Sequence, residues 1–177
     1  MVFKFENLDS KTRQLMLDEI ELDIKNKRLY LSSRLSETGK KHYPELLKNA
    51  IQENNETTLA NNLKTKNCLN PTEPRKTNQG IKIVSVPVTA NETLAEGEFN
   101  RFYIRALCCK VIEDKRGTLE IYRAKHVSTP RPESQMMIGK TIDPERLLND
   151  LRINIGVDTV LGLPQGPNSG LSVRIKI

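Results

Sequence analysis

The sequence predicts an α+β fold, and three observations carry that prediction. Residues 98–112 read as a helix that is apolar around most of its circumference, which places it inside a fold. Residues 171–177 alternate apolar and polar side chains, the pattern of a half-buried strand. The first 64 residues, in contrast, read as all-helical, three helical segments joined by short connections. The expected organisation is a helical region over 1–64, an extended linker over 65–80, and a small α+β domain over 81–177. In that domain a mixed sheet packs on the buried helix.

Taken in chain order, Asp9 or Ser10 can cap a first helix over 9–26, on which Leu15, Met16, Ile20, Asp23 and Ile24 follow helical spacing. Leu29-Tyr30-Leu31 is too short to assign to helix or strand, and Gly39 with Lys40 and Lys41 predicts a turn. Pro44 suits the start of a helix built on Leu46, Leu47, Ala50 and Ile51, and Asn55 caps another through Leu59, Ala60 and Leu63. From Lys64 to Gly80 periodicity gives way to Asn, Pro, Thr and charge. Fully extended, such a connector spans about 55–60 Å, enough to reach across a neighbouring subunit.

Residues 81–88 predict a strand that Pro87 pushes to an edge or an ending. After the central helix, Lys115-Arg116-Gly117 is a stop signal and residues 118–125 predict a second strand. Strand, helix and strand in this order suit a crossover unit, with an antiparallel arrangement as the alternative. Met136-Met137-Ile138 is a candidate short strand, and Asp143-Pro144 is a strong helix start, with an N-cap followed by proline at N1.

Composition narrows the function classes. The 177 residues are 37% hydrophobic but only 5% aromatic, with no tryptophan, so the cores are aliphatic and thin. The net charge of +6 comes from 28 basic and 22 acidic residues, and no segment is strongly basic. The richest run, Lys64, Lys66, Arg75 and Lys76, has no aromatic neighbour for base stacking; it is the candidate nucleic-acid contact of an alternative reading. Cys68, Cys108 and Cys109 form neither a C-x-x-C pair nor an even set, and only His42 and His126 are available beside them. Small core positions in a reducing compartment are therefore expected, with no metal centre and no cofactor. The N-terminus lacks an apolar signal region, so a protein that is not exported by a signal peptide is expected.

Catalytic motifs fail on inspection. Gly139-Lys140-Thr141 imitates the end of a phosphate-binding loop, but that pattern requires glycine at position 134, which is Ser134. Gly162, Gly166 and Gly170 are spaced by four, unlike a dinucleotide fingerprint, so residues 162–170 read as a turn-rich entry to the last strand, with an anion nest as the alternative. A metal-dependent nuclease would need a second acid and an E-x-K pairing beside Glu120, and residue 122 is Tyr; Glu98 and Glu133 are the other acids such a site would draw on. Arg101, Arg105, Arg123 and Arg131 form the more informative set. The first three either pair with Glu98, Glu120 or Glu133 within the domain, or reach a neighbouring subunit, where planar bidentate contacts favour arginine.

The blocks Glu98-Phe99-Asn100, Tyr103, Arg105-Ala106-Leu107, Tyr122-Arg123-Ala124, Pro130-Arg131-Pro132-Glu133-Ser134 and Gly166-Pro167-Asn168 together resemble a family of uncharacterised proteins encoded by tailed bacteriophages and prophages, often among genes for virion parts. The resemblance covers about residues 98–170 and leaves the helical region unmatched. It implies a non-enzymatic virion structural protein, a head, cement (decoration) or neck connector component. Its partners would be neighbouring capsid or neck subunits, and it would reside in the virion after passing through the host cytoplasm; the resemblance carries over no functional residue, so Arg101, Arg105, Arg123 and Arg131 stay candidate subunit contacts on their own chemistry alone. A small basic nucleic-acid-associated accessory protein is the alternative, and a metal-dependent nuclease the third.

Overall fold

Helices α1 (Ser10–Lys25), α2 (Glu37–Glu53) and α3 (Glu56–Thr65) come first, followed by strands β1 (Thr72–Thr77) and β2 (Gly80–Ser85). The long helix α4 (Ala90–Asp114) then leads through β3 (Thr118–Arg123), α5 (Pro132–Met137), β4 (Thr141–Ile142) and α6 (Pro144–Ile153) to β5 (Leu171–Lys176). The computed structural model describes residues 2–156, 161–163 and 169–177. The α+β class, the helical N-terminal region and the C-terminal strands are as the sequence predicts.

Helix α4 is the axis of the fold. Every residue from Glu98 to Cys108 is buried, because α1, α3 and α6 pack around the helix and β3 and β5 lie against it. One hydrophobic core accordingly runs from Met16 and Ile20 of α1, through Leu47 and Leu59, to Phe99, Leu107, Leu147 and Val173. Asn100 ties the helix to the sheet: its amide donates to the Leu171 carbonyl at 2.8 Å, and its oxygen accepts from the Ser172 hydroxyl at 2.7 Å. The helix stops where Lys115 turns left-handed (φ 47°) and Gly117 follows at φ 86°. A Cβ on Gly117 would meet Ile175 Cγ2 at 3.0 Å, so β5 passes close to this turn.

The capping residues act as expected. Asp9 accepts from the Thr12 amide, Asn55 from the Thr58 amide and Asp143 from the Arg146 amide. Helix α2 departs from the expectation. It begins at Glu37, with Ser36 as its cap, so Gly39 lies in its first turn and Pro44 in its interior. Gly39 is needed there because a Cβ would sit 2.0 Å from the Cys68 carbonyl oxygen, where the chain leaving α3 crosses the helix. Pro44 costs the helix the bond its missing N–H would have made to the carbonyl four residues back.

Four further expectations are corrected. The 65–80 segment is not an extended linker: residues 72–77 are β1, paired antiparallel with β2 in the register Thr72↔Ser85 to Thr77↔Gly80. A turn at Asn78 and Gln79, closed by Gly80 at φ 109°, folds the chain back on itself. Because β2 pairs with β1, it is not a neighbour of β3, and no crossover unit forms. The sheet is therefore not mixed: in the order β4-β3-β5 both pairings are antiparallel. Lastly, Met136 and Met137 belong to α5, which Pro132 starts, and not to a strand.

The N-terminal residues are held by the body. The Lys4 amide donates to the Ala124 carbonyl (2.8 Å), the Tyr122 hydroxyl to the Lys4 carbonyl (2.6 Å), and the Phe3 amide to Glu56 (2.9 Å). The Phe5 ring packs against Phe99 and Tyr103. No helix among the described residues is long and apolar enough to cross a membrane.

Candidate functional site

The four arginines singled out by sequence divide into two buried and two peripheral. Arg105 is completely buried. It does not pair with Glu98, Glu120 or Glu133; it donates to Glu19 (2.7 Å) and, bidentately, to Asp23 (2.6 and 2.9 Å), both on α1. Arg152 of α6 closes on the same Glu19 carboxylate from the other side. Burial pushes the Glu19 carboxyl up, but Arg152 and Arg105 outweigh it and hold the group below its usual range. The network joins three helices, and its signal in the sequence is Asp23 at an apolar spacing of α1.

Arg101, also buried, donates to the carbonyls of Asn154 (2.8 Å) and Leu151 (3.3 Å) at the C-terminal end of α6, where a cation meets the negative end of the helix. Its Nε lies 3.5 Å from Glu98. As candidate subunit contacts, Arg101 and Arg105 are both corrected, since their guanidinium groups are enclosed by this chain. Arg123 is half-buried and holds the Ser169 carbonyl, Ser134 (3.3 Å) and Gln135 (3.1 Å). Arg131 is exposed and forms the N-cap of α5.

The acids considered for nuclease chemistry do not converge. Glu120 is bound by Arg174 (2.6 Å) and Lys176 (2.8 Å) of β5, Glu98 faces Arg101 inside the core, and Glu133 is exposed on α5. Among the described residues no three His, Cys, Asp or Glu side chains gather as a metal-binding set. Cys68 and Cys108 are buried, and burial pushes the Cys109 thiol up to about 12, so these thiols are not activated nucleophiles. Residues 164–168, which include Gly166, Pro167 and Asn168 of the glycine-spaced loop, lie outside the described residues.

Among the described residues, the β1–β2 hairpin lies against no other strand or helix beyond its root. Its root is fixed: Arg34 grips Glu73 with two bonds (2.5 and 3.0 Å), the Val86 amide donates to Pro71 (3.0 Å), and Asn70 donates from its backbone to the Arg34 carbonyl (2.8 Å). Beyond the root, both faces stand in solvent. Residues directly opposite in the register share a face. One face therefore carries Pro74, Lys76, Ile81 and Ile83, and the other Glu73, Arg75, Lys82 and Val84. Ile81 is 75% exposed, Ile83 68%, and Val88 just past the strand 93%. A cleft of about 190 Å³ at the root is lined by Leu69, Pro71, Val86, Val88 and the exposed Lys64.

Two of the four basic residues of the alternative reading lie on the arm, and a third, Lys64, lines the cleft at its root. Lys64 and Lys66 are exposed at the end of α3, and Arg75 and Lys76 are on β1. Lys82, Ile81 and Ile83 complete the surface and are missed by a reading that ends the connector at Gly80. The available signal is the turn sequence Asn78-Gln79-Gly80 between two runs able to form strands. Comparison with known proteins gives no match to any family model, curated protein or solved structure.

Proposed function

We propose that this chain is a non-enzymatic structural subunit of a tailed-bacteriophage particle, a head, cement or neck connector component that binds neighbouring capsid or neck subunits through its hairpin arm. The observation that carries the binding role is the arm itself. An isolated two-stranded hairpin is marginal in water, and full burial of an isoleucine contributes about 1.5–3 kcal/mol, so two exposed isoleucines on such an arm favour a second surface. The virion setting comes from the resemblance of residues 98–170. The buried arginine network ties α1, α4 and α6 together, which suits a subunit that presents an arm to its neighbours.

Mass spectrometry of purified particles from the strain that encodes the chain tests this reading. Stoichiometric presence is expected, and absence from particles contradicts it. The exposure of Arg75 and Lys76 on the arm and of Lys64 and Lys66 at the end of α3 favours one second reading, a nucleic-acid-associated accessory protein. Retention on a nucleic-acid column that falls steeply with salt would support that reading in place of the first.

A further inference from the structure

The hairpin has two edges, and they are not equivalent. The Val86 amide bonds inward to the Pro71 carbonyl, and inward pointing alternates along an antiparallel ladder. Gly80, Lys82 and Val84 therefore face β1, while the N–H and C=O groups of Ile81, Ile83 and Ser85 point away from it. On the opposite strand the outward residues are Thr72, Pro74 and Lys76. Pro74 has no N–H, which interrupts the β1 edge at its middle. The β2 edge has no such interruption, and among the described residues no strand lies against it.

We propose that this open edge of β2 takes an extended acidic segment of a neighbouring protein as a third strand. The inference rests on the binding role given to the arm above and names the partner's chemistry. Charge selects the occupant. Residues 72–85 carry Arg75, Lys76 and Lys82 against the single acid Glu73, whose carboxylate is shared by Arg34 and Arg75 (3.3 Å), so the positive charge of the arm exceeds its negative charge. Two copies pairing through β2 would bring Arg75 and Lys82 of each onto one face, and like charges side by side on a sheet oppose such pairing. A lysine in the middle of an open edge guards against self-association. The same lysine attracts a strand that places carboxylates beside it.

The two faces specify the pattern of that strand. On the face of Ile81 and Ile83 it presents apolar side chains, and on the face of Arg75 and Lys82 it presents Asp or Glu. The partner segment therefore alternates acidic and apolar residues. A nucleic acid would use the same charges, but it leaves a backbone edge unpaired, and the arm has no aromatic side chain for a base to stack on.

The test uses the full chain and three probes: a nine-residue peptide alternating glutamate with valine, its lysine counterpart, and an oligothymidine 20-mer. The glutamate peptide is expected to bind and to slow hydrogen exchange at Ile81, Ile83 and Ser85 by about tenfold or more, leaving the inward amides of Lys82 and Val84 nearly unchanged. The double variant Arg75→Glu with Lys82→Glu should weaken the glutamate peptide about tenfold and gain affinity for the lysine peptide, an exchange that a misfolded variant would not show. Unchanged exchange at the three edge amides, equal binding of both peptides by the unaltered chain, or protection of the arm by oligothymidine alone would overturn the proposal. Failure here with the chain present in particles rejects the acidic strand and keeps the virion reading. Edge binding by a chain missing from particles does the reverse.

Discussion

Removing the Arg105 guanidinium leaves the Glu19 and Asp23 carboxylates buried without the cation both of them share. Breaking a buried pair from one side costs about 3–5 kcal/mol, so Arg105→Met should lower the unfolding free energy by that amount, while Arg123→Ala, at a half-buried site, should cost about 1 kcal/mol. Glu98 gives a second, opposite lesson. Burial raises its carboxyl from 4.5 to about 7, against the pull of Arg101 and Arg105. The folded state then holds this proton more tightly than the unfolded chain. The resulting stabilisation is full below pH 4.5 and is lost as pH rises through 7, an effect of about 3 kcal/mol. Urea denaturation of Glu98→Gln at pH 5 and pH 8 should show that loss removed, with the variant gaining on the parent as pH rises. A parent and variant that differ equally at both pH values would contradict this assignment.

At the level of elements, the helices were legible wherever caps and apolar spacing coincide, as at Asp9, Asn55 and Asp143. Legibility failed where tertiary contact overrides local preference. Gly39 signals a turn by itself, yet it is helical because α2 must pass the Cys68 carbonyl at a distance only glycine permits. Gly39→Ala should therefore cost about 3 kcal/mol, at the upper end of overpacking effects, measured by thermal or chemical unfolding. The hairpin was hidden for another reason. Its strands bury almost nothing, so no hydrophobic alternation marks β1, and the short turn ending at Gly80 was the remaining signal. The partners of Arg105 lie more than eighty residues away in sequence, where spacing within α4 carries no information about them. Because Ile81 and Ile83 are exposed, the double change to serine should alter stability by no more than about 0.5 kcal/mol, which separates their role from that of the core.

At the scale of the molecule, the main core built around α4 supports an arm that contributes little to it. The regions 1–64 and 81–177 share that core, and α1 is bound to α4 by buried charge as well as by apolar contact. The body should consequently unfold in one cooperative step, with the arm exchanging its amides far faster than α4. Replacing residues 74–83 with a short glycine-rich turn, and measuring both the unfolding of the purified chain and its incorporation into particles, tests this separation of a stable body from an exposed basic arm. An unfolding free energy within about 1 kcal/mol of the parent is expected and, on the proposed virion role, loss of the shortened chain from purified particles. A shortened chain that enters particles as well as the parent, or a body that no longer folds without the arm, would contradict it.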